Sequence, residues 1–139
     1  MKRTKTRTIA LVSTALLLSA FACVWAEDQI IININIAVAP NVLNLQNNGQ
    51  VVTVHTDLPY SSVAGATVTL NGVEISGWKS DNQGNFVAKF VMQDIKNLPL
   101  NIGELNTLTL TGTGETVSGG SFSFTGAADI LVVNNIPRK

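Results

Sequence analysis

The sequence predicts an all-β fold, a single antiparallel β-sandwich of seven to eight strands. Three observations carry this expectation. Short stretches alternate apolar and polar residues with a period of two, as half-buried strands do. Turn signals separate them at roughly ten-residue spacing, the rhythm of a sandwich. The composition is poor in charge, at 13%, and rich in Thr, Val, Asn, Leu and Gly. β-Branched side chains pack well on a pleated surface and lose rotamer freedom in a helix.

With 139 residues the chain holds one domain and little more. Residues 1–26 have the three parts of a secretory signal peptide. Lys2, Arg3, Lys5 and Arg7 form a basic start, residues 9–24 are mostly apolar, and Val24 and Ala26 occupy the −3 and −1 positions of a cleavage site after Ala26. The apolar run falls short of the ~20 residues a spanning helix needs, so no stable membrane span is expected once the leader is removed. The domain is then 27–139. Cys23, the only cysteine, follows a loose lipobox, which leaves a lipoprotein as the minor alternative to a secreted or periplasmic protein. Removal of the leader also removes Cys23, so no disulfide or Cys-ligated metal is expected. Five basic residues then face nine acidic ones, a net charge of −4. No basic stripe remains to neutralise phosphates, which argues against nucleic acid.

The strands follow in order. Residues 30–38 place Ile30, Ile32, Ile34 and Ile36 on one face, with Ile31, Asn33, Asn35 and Ala37 on the other. This is either the first strand of the sandwich or a segment that pairs with another subunit, because an uncharged apolar strand left unpaired invites association. Pro40 ends the ladder. Residues 41–59 read as a short strand, a polar turn at 46–49 and a long strand with Val52, Val54 and Thr56 on one face. A loop holds Tyr60, Ser61 and Ser62. Ala66, Val68 and Leu70 point inward in the next strand, and Asn71-Gly72 is a hairpin signal. Residues 73–80 return, with Trp78. After a turn at 81–84, Phe86, Ala88, Phe90 and Met92 share a face. Residues 94–100 lose the period of two and suggest one helical turn. Asn106, Leu108 and Leu110 resume strand spacing, 111–120 reads as a long hairpin tip, and Phe122, Phe124, Ile130 and Val132 form the last strand, bent at Gly126.

Five segments in this order, PNVLNL at 40–45, GQVVTVHTDLP at 49–59, VTLNG at 68–72, SDNQGNFVAKF at 80–90 and FTGAADILV at 124–132, resemble a bacterial and archaeal secreted immunoglobulin-like β-sandwich module. The resemblance spans nearly all of 27–139 and implies an immunoglobulin-like sandwich. It implies little about function, since such sandwiches host many roles. The family's middle motif looks like a calcium loop. This chain keeps Asp81, Asn82 and Gly84 but has Gln83 and Asn85 where acidic residues are usual, and one carboxylate is a poor cage for an ion that takes six to eight oxygens. Leu131 stands where the family usually has Arg.

The residues that bear chemistry are few. His55, the only histidine, shares a strand face with Asp57 near Ser61 and Ser62, which is the composition of a hydrolase triad. It is also that of an ordinary solvent-facing strand, and the resembling modules tolerate aromatic residues at this position. No paired-carboxylate site is apparent; Glu74 and Asp129 could approach in space but read first as surface charges. No phosphate loop, nucleophile elbow or His-Cys metal spacing occurs. Trp78, beside Lys79, reads first as a core tryptophan or a cover over the open end of the sheets. With Tyr60 it is also a candidate sugar-stacking platform.

The expected function is therefore that of an exported, non-catalytic module for adhesion, assembly or protein interaction in the bacterial envelope or outside the cell. Ile30, Ile32, Ile34 and Ile36 are its candidate subunit-pairing strand. The alternatives are a carbohydrate-binding module using Trp78 and Tyr60, and an accessory or inhibitor of a secreted enzyme using the loops at 58–63 and 111–120. The expected partner is a protein, a glycan or a second copy, with no cofactor or metal.

Overall fold

A computed structural model describes residues 29–136. The expected leader, its cleavage site and Cys23 lie outside the described residues. The chain forms β1 (Ile30–Asn33), β2 (Ile36–Ala39), β3 (Val42–Asn44), β4 (Val51–Pro59), a 3-10 turn (Tyr60–Ser62), β5 (Val63–Leu70), β6 (Val73–Glu74), β7 (Gly77–Ser80), β8 (Asn85–Val91), α1 (Met92–Lys96), β9 (Leu105–Glu115) and β10 (Ser121–Val133). The first sheet runs β1-β10-β9-β5-β6, with β3 also beside β10, and the second runs β2-β4-β8-β7. The fold is the expected all-β sandwich. It is antiparallel except along one side of β10, where β1 and β3 pair in parallel.

The period-two stretches become the facing inner surfaces. Val52, Val54, Thr56 and Leu58 of β4 are buried, as are Phe86, Ala88 and Phe90 of β8, Leu108 and Leu110 of β9, and Phe122, Phe124, Ile130 and Val132 of β10. Each large side chain removed from water contributes about 1.5–3 kcal/mol, and this core is the main source of stability. Asn71 and Gly72 adopt φ of 47° and 84° and close the predicted hairpin. Met92 and Ile95, three residues apart on one helical face, are buried. That spacing explains why the single helical turn begins at Met92 rather than at 94. Asn106 is buried but satisfied. Its side chain accepts from the Asn101 N–H at 2.7 Å and donates to the carbonyls of Asn101 and Glu104.

Three expectations need correction. Residues 111–120 are not all a hairpin tip. β9 continues to Glu115, paired residue for residue with β10. Gly112 and Gly114 face inward, where an added Cβ would lie 2.5 Å from the rings of Phe124 and Phe122 respectively. The glycines clear space for the two rings, and Thr113 between them faces solvent, so glycine extends the strand here. Second, Ala66 is exposed, while Val68 and Leu70 are buried. β5 bulges between Ala64 and Thr69, and the bulge breaks the alternation.

Third, residues 30–38 are not one strand. β1 lies in the first sheet and β2 in the second. The crossing passes over Gly126, where a Cβ would sit 2.8–2.9 Å from Ile36 Cγ2, Ile34 Cγ1 and the Ile34 carbonyl oxygen. The Asn35 backbone N–H and side-chain amide both donate to the Asp57 carboxylate at 3.3 Å. Ile34 and Val38 are buried, and Ile36 is partly buried against the core. Only Ile30 and Ile32 of the four predicted pairing residues remain on the open strand.

Candidate functional site

The described interior leaves no buried side-chain nitrogen or oxygen without a hydrogen-bond partner. The unpaired groups lie at the strand edges, and β1 is the edge that differs from the others. Its register with β10 sets Ile30 beside Phe122 and Ile32 beside Phe124, so both face the inner side. They are nevertheless 60% and 36% exposed, and Ile31 on the outer face is 67% exposed. The cause lies in the topology: the edge strand of the second sheet, β2, begins only at Ile36, paired with Thr56. Among the described residues no strand lies across from the inner face of β1.

The backbone of β1 is polarised in the same way. Ile34 donates its N–H to the Thr125 carbonyl on β10 at 2.9 Å. Peptide groups alternate in direction along a strand paired in parallel, so the N–H and C=O groups of Ile30 and Ile32 turn toward β10 and those of Ile31 and Asn33 toward the open side. Natural edges are blunted by charge, proline, extreme shortness or bulges. β6 has two residues, β7 carries Lys79, and β2 runs into Pro40. β1 and the residue before it, QIIIN, carry neither charge, proline nor a bulge.

Trp78 and Tyr60 are separately employed. Trp78 lies opposite Ala88 and so faces the inner side of the sandwich. Its indole covers Gly65, where a Cβ would come within 2.3–2.7 Å of ring atoms. It is 43% exposed. Of the two structural readings it is the cover rather than the core residue, sealing the seam between β7 and the bulge in β5. Tyr60 stacks on Phe86, centroids 6.4 Å apart at 28°.

The hydrogen bonds of the remaining candidates lead elsewhere. His55 and Asp57 share the outer face of β4, but Asp57 is engaged by Asn35 and Ser62 donates to the Pro59 carbonyl at 2.8 Å. His55 and Lys79 both lie beside Val87, which is fully buried although it faces outward. Glu74 and Asp129 do not approach. β5 and β9 lie between their strands, a separation of roughly 14 Å at the usual strand spacing, and Asp129 accepts from Thr107 Oγ1 at 2.6 Å. Asp81 Oδ1 accepts from the backbone N–H groups of Gln83 and Asn85 at 2.8 and 2.9 Å, which makes it the brace of a tight turn. Among the described residues no cluster of three or more His, Cys, Asp or Glu could hold a metal, and no helix is long and apolar enough to cross a membrane.

One feature had no signal in the sequence. A cleft of about 440 Å³ at one end of the first sheet is lined by Gln29, residues 61–64, residues 113–115 and residues 121–123. It brings together parts of the two segments read as contact surfaces, 58–63 and 111–120, the second through the end of β9. Gly114 makes this possible, since an added Cβ would lie 2.1 Å from the Ser62 carbonyl oxygen. No family model, curated protein or solved structure matches the chain.

Proposed function

We propose that this chain is an exported, non-catalytic β-sandwich module of the bacterial envelope or extracellular space, and that it works by pairing its N-terminal edge strand with another polypeptide. The observation that carries the reading is β1, an uncharged edge strand with Ile30, Ile31 and Ile32 exposed and half of its backbone groups directed away from β10. Adding a strand to such an edge supplies main-chain hydrogen bonds and covers apolar side chains at once. The leader pattern of residues 1–26 supports export.

Fractionation of an exporting bacterium that makes the native chain or Ile31→Lys tests the reading. The native chain should leave a sizing column in a complex that the variant, folded but with a charged edge, no longer enters. Identical elution of both as free monomers overturns it. A second reading, accessory or inhibitor of a secreted enzyme, is favoured by the end cleft. It predicts that Ser121→Trp, which fills the cleft, disrupts the complex while Ile31→Lys leaves it intact.

A further inference from the structure

We infer that the partner of β1 is a second copy of this chain, joined about a two-fold axis through Ile31 so that the two first sheets become one continuous sheet. The inference rests on the strand-pairing reading above and adds the partner and the register. The argument starts from symmetry. A two-fold pair of identical edges must run antiparallel, and the same patch must complement itself. Outer-face residues must also meet outer-face residues, because directly opposite residues share a face.

The register centred on Ile31 meets both conditions with the described residues. It sets Ile31 against Ile31 on the outer face and Ile30 against Ile32 twice on the inner face. Gln29 meets Asn33 at both ends, amide against amide. The same register fits the backbone. Ile31 and Asn33 turn their N–H and C=O groups to the open side, so Ile31–Ile31 is a hydrogen-bonded pair, and alternation makes Gln29–Asn33 one as well. Ile30–Ile32 is the closer, non-bonded pair whose side chains touch most. No charge falls among residues 29–33 of the seam.

The topology leaves room for the partner. β1 lies only beside residues 122–125 of β10, near one end of that strand. Inversion about Ile31 therefore staggers the bodies in opposite directions along the seam. Two five-residue segments cover far less than the about 1,600 Å² of a standard stable interface, so the dimer is weak and depends on concentration.

A cysteine scan tests the register in the full-length chain carrying Cys23→Ser, so that the introduced thiol is the only one. In the predicted register the Ile31 Cα atoms lie about 5.5 Å apart, within disulfide reach, whereas Ile30 and Ile32 each lie more than about 7 Å from their own counterparts, beyond it. Under mild oxidation Ile31→Cys should form covalent dimers at least roughly tenfold faster than Ile30→Cys, Ile32→Cys or a control at the turn, Ser118→Cys. Faster cross-linking at 30 or 32 overturns the register. If Ile31→Lys dissolves a complex but Ile31→Cys yields no self-dimer, the partner is a different polypeptide; self-pairing falls while the strand-pairing reading stands. If neither a β1-dependent complex nor a self-dimer forms, both fall.

Discussion

The two long sides of the sandwich are closed in different ways. On one side Trp78 of β7 lies flat on Gly65 of β5, and a large apolar group reaches from one sheet to the other because the backbone it meets carries no side chain. On the other side the chain crosses between sheets over Gly126, but β1, before the crossing, holds Ile30 and Ile32 on an inner face that no described strand covers, and Ile31 exposed on the outer face. Trp78 and Ile30 are both apolar and both partly exposed, at 43% and 60%. The difference teaches that exposure alone does not mark an interface. A half-exposed apolar group belongs to the fold when the opposite backbone has been cleared to receive it. It is free for a partner when nothing faces it.

Four substitutions separate the two cases. Gly65→Val strikes the closed side hardest. Its side chain occupies the place of the indole, and the cost should be about 3 kcal/mol from overpacking, read by denaturant unfolding, with a red shift in the emission of Trp78. A stability within about 0.5 kcal/mol of the native value would show that the seal is not structural. Trp78→Ala should cost about 2 kcal/mol, below the ~3–5 of a fully buried tryptophan because part of the ring already meets water. A neutral effect, accompanied by loss of binding to a glycan, would instead return Trp78 to the carbohydrate reading. Gly126→Ala presses on the Ile34 carbonyl oxygen as well as on the Ile34 and Ile36 side chains, and should cost about 1–2 kcal/mol. A cost below about 0.5 kcal/mol, that of an ordinary exposed substitution, would sever the link between this glycine and the crossing. Ile31→Lys should change stability by less than about 0.5 kcal/mol, as exposed substitutions do, while abolishing self-association. A large loss of stability would make β1 part of the fold rather than a spare edge.

Much of the fold was legible because period-two alternation survives wherever one face of a strand is buried. The residues of β4, β8 and the inner face of β10 appear as read, and Asn71-Gly72 turns where its dipeptide says it should. The failures share a cause: contacts between distant segments that glycine permits. Gly112 and Gly114 look like a mobile tip until Phe122 and Phe124 lie against them. Gly126 hides the crossing that divides residues 30–38 between two sheets, so one alternating run of isoleucines serves two purposes. Gly65 gives no sign of the indole above it. The candidate edge was half legible. Its apolar, uncharged character is plain in the sequence, but whether a strand lies across from Ile30 and Ile32 depends on where β2 begins, which only the fold decides.

Light scattering on the native chain and on Ile31→Lys, over a range of protein concentrations, tests the central claim most directly. The account predicts that the native mass rises toward twice the monomer with concentration, while the variant stays monomeric and equally stable. A native chain that remains monomeric at the highest concentration, or a variant that associates just as well, would contradict it.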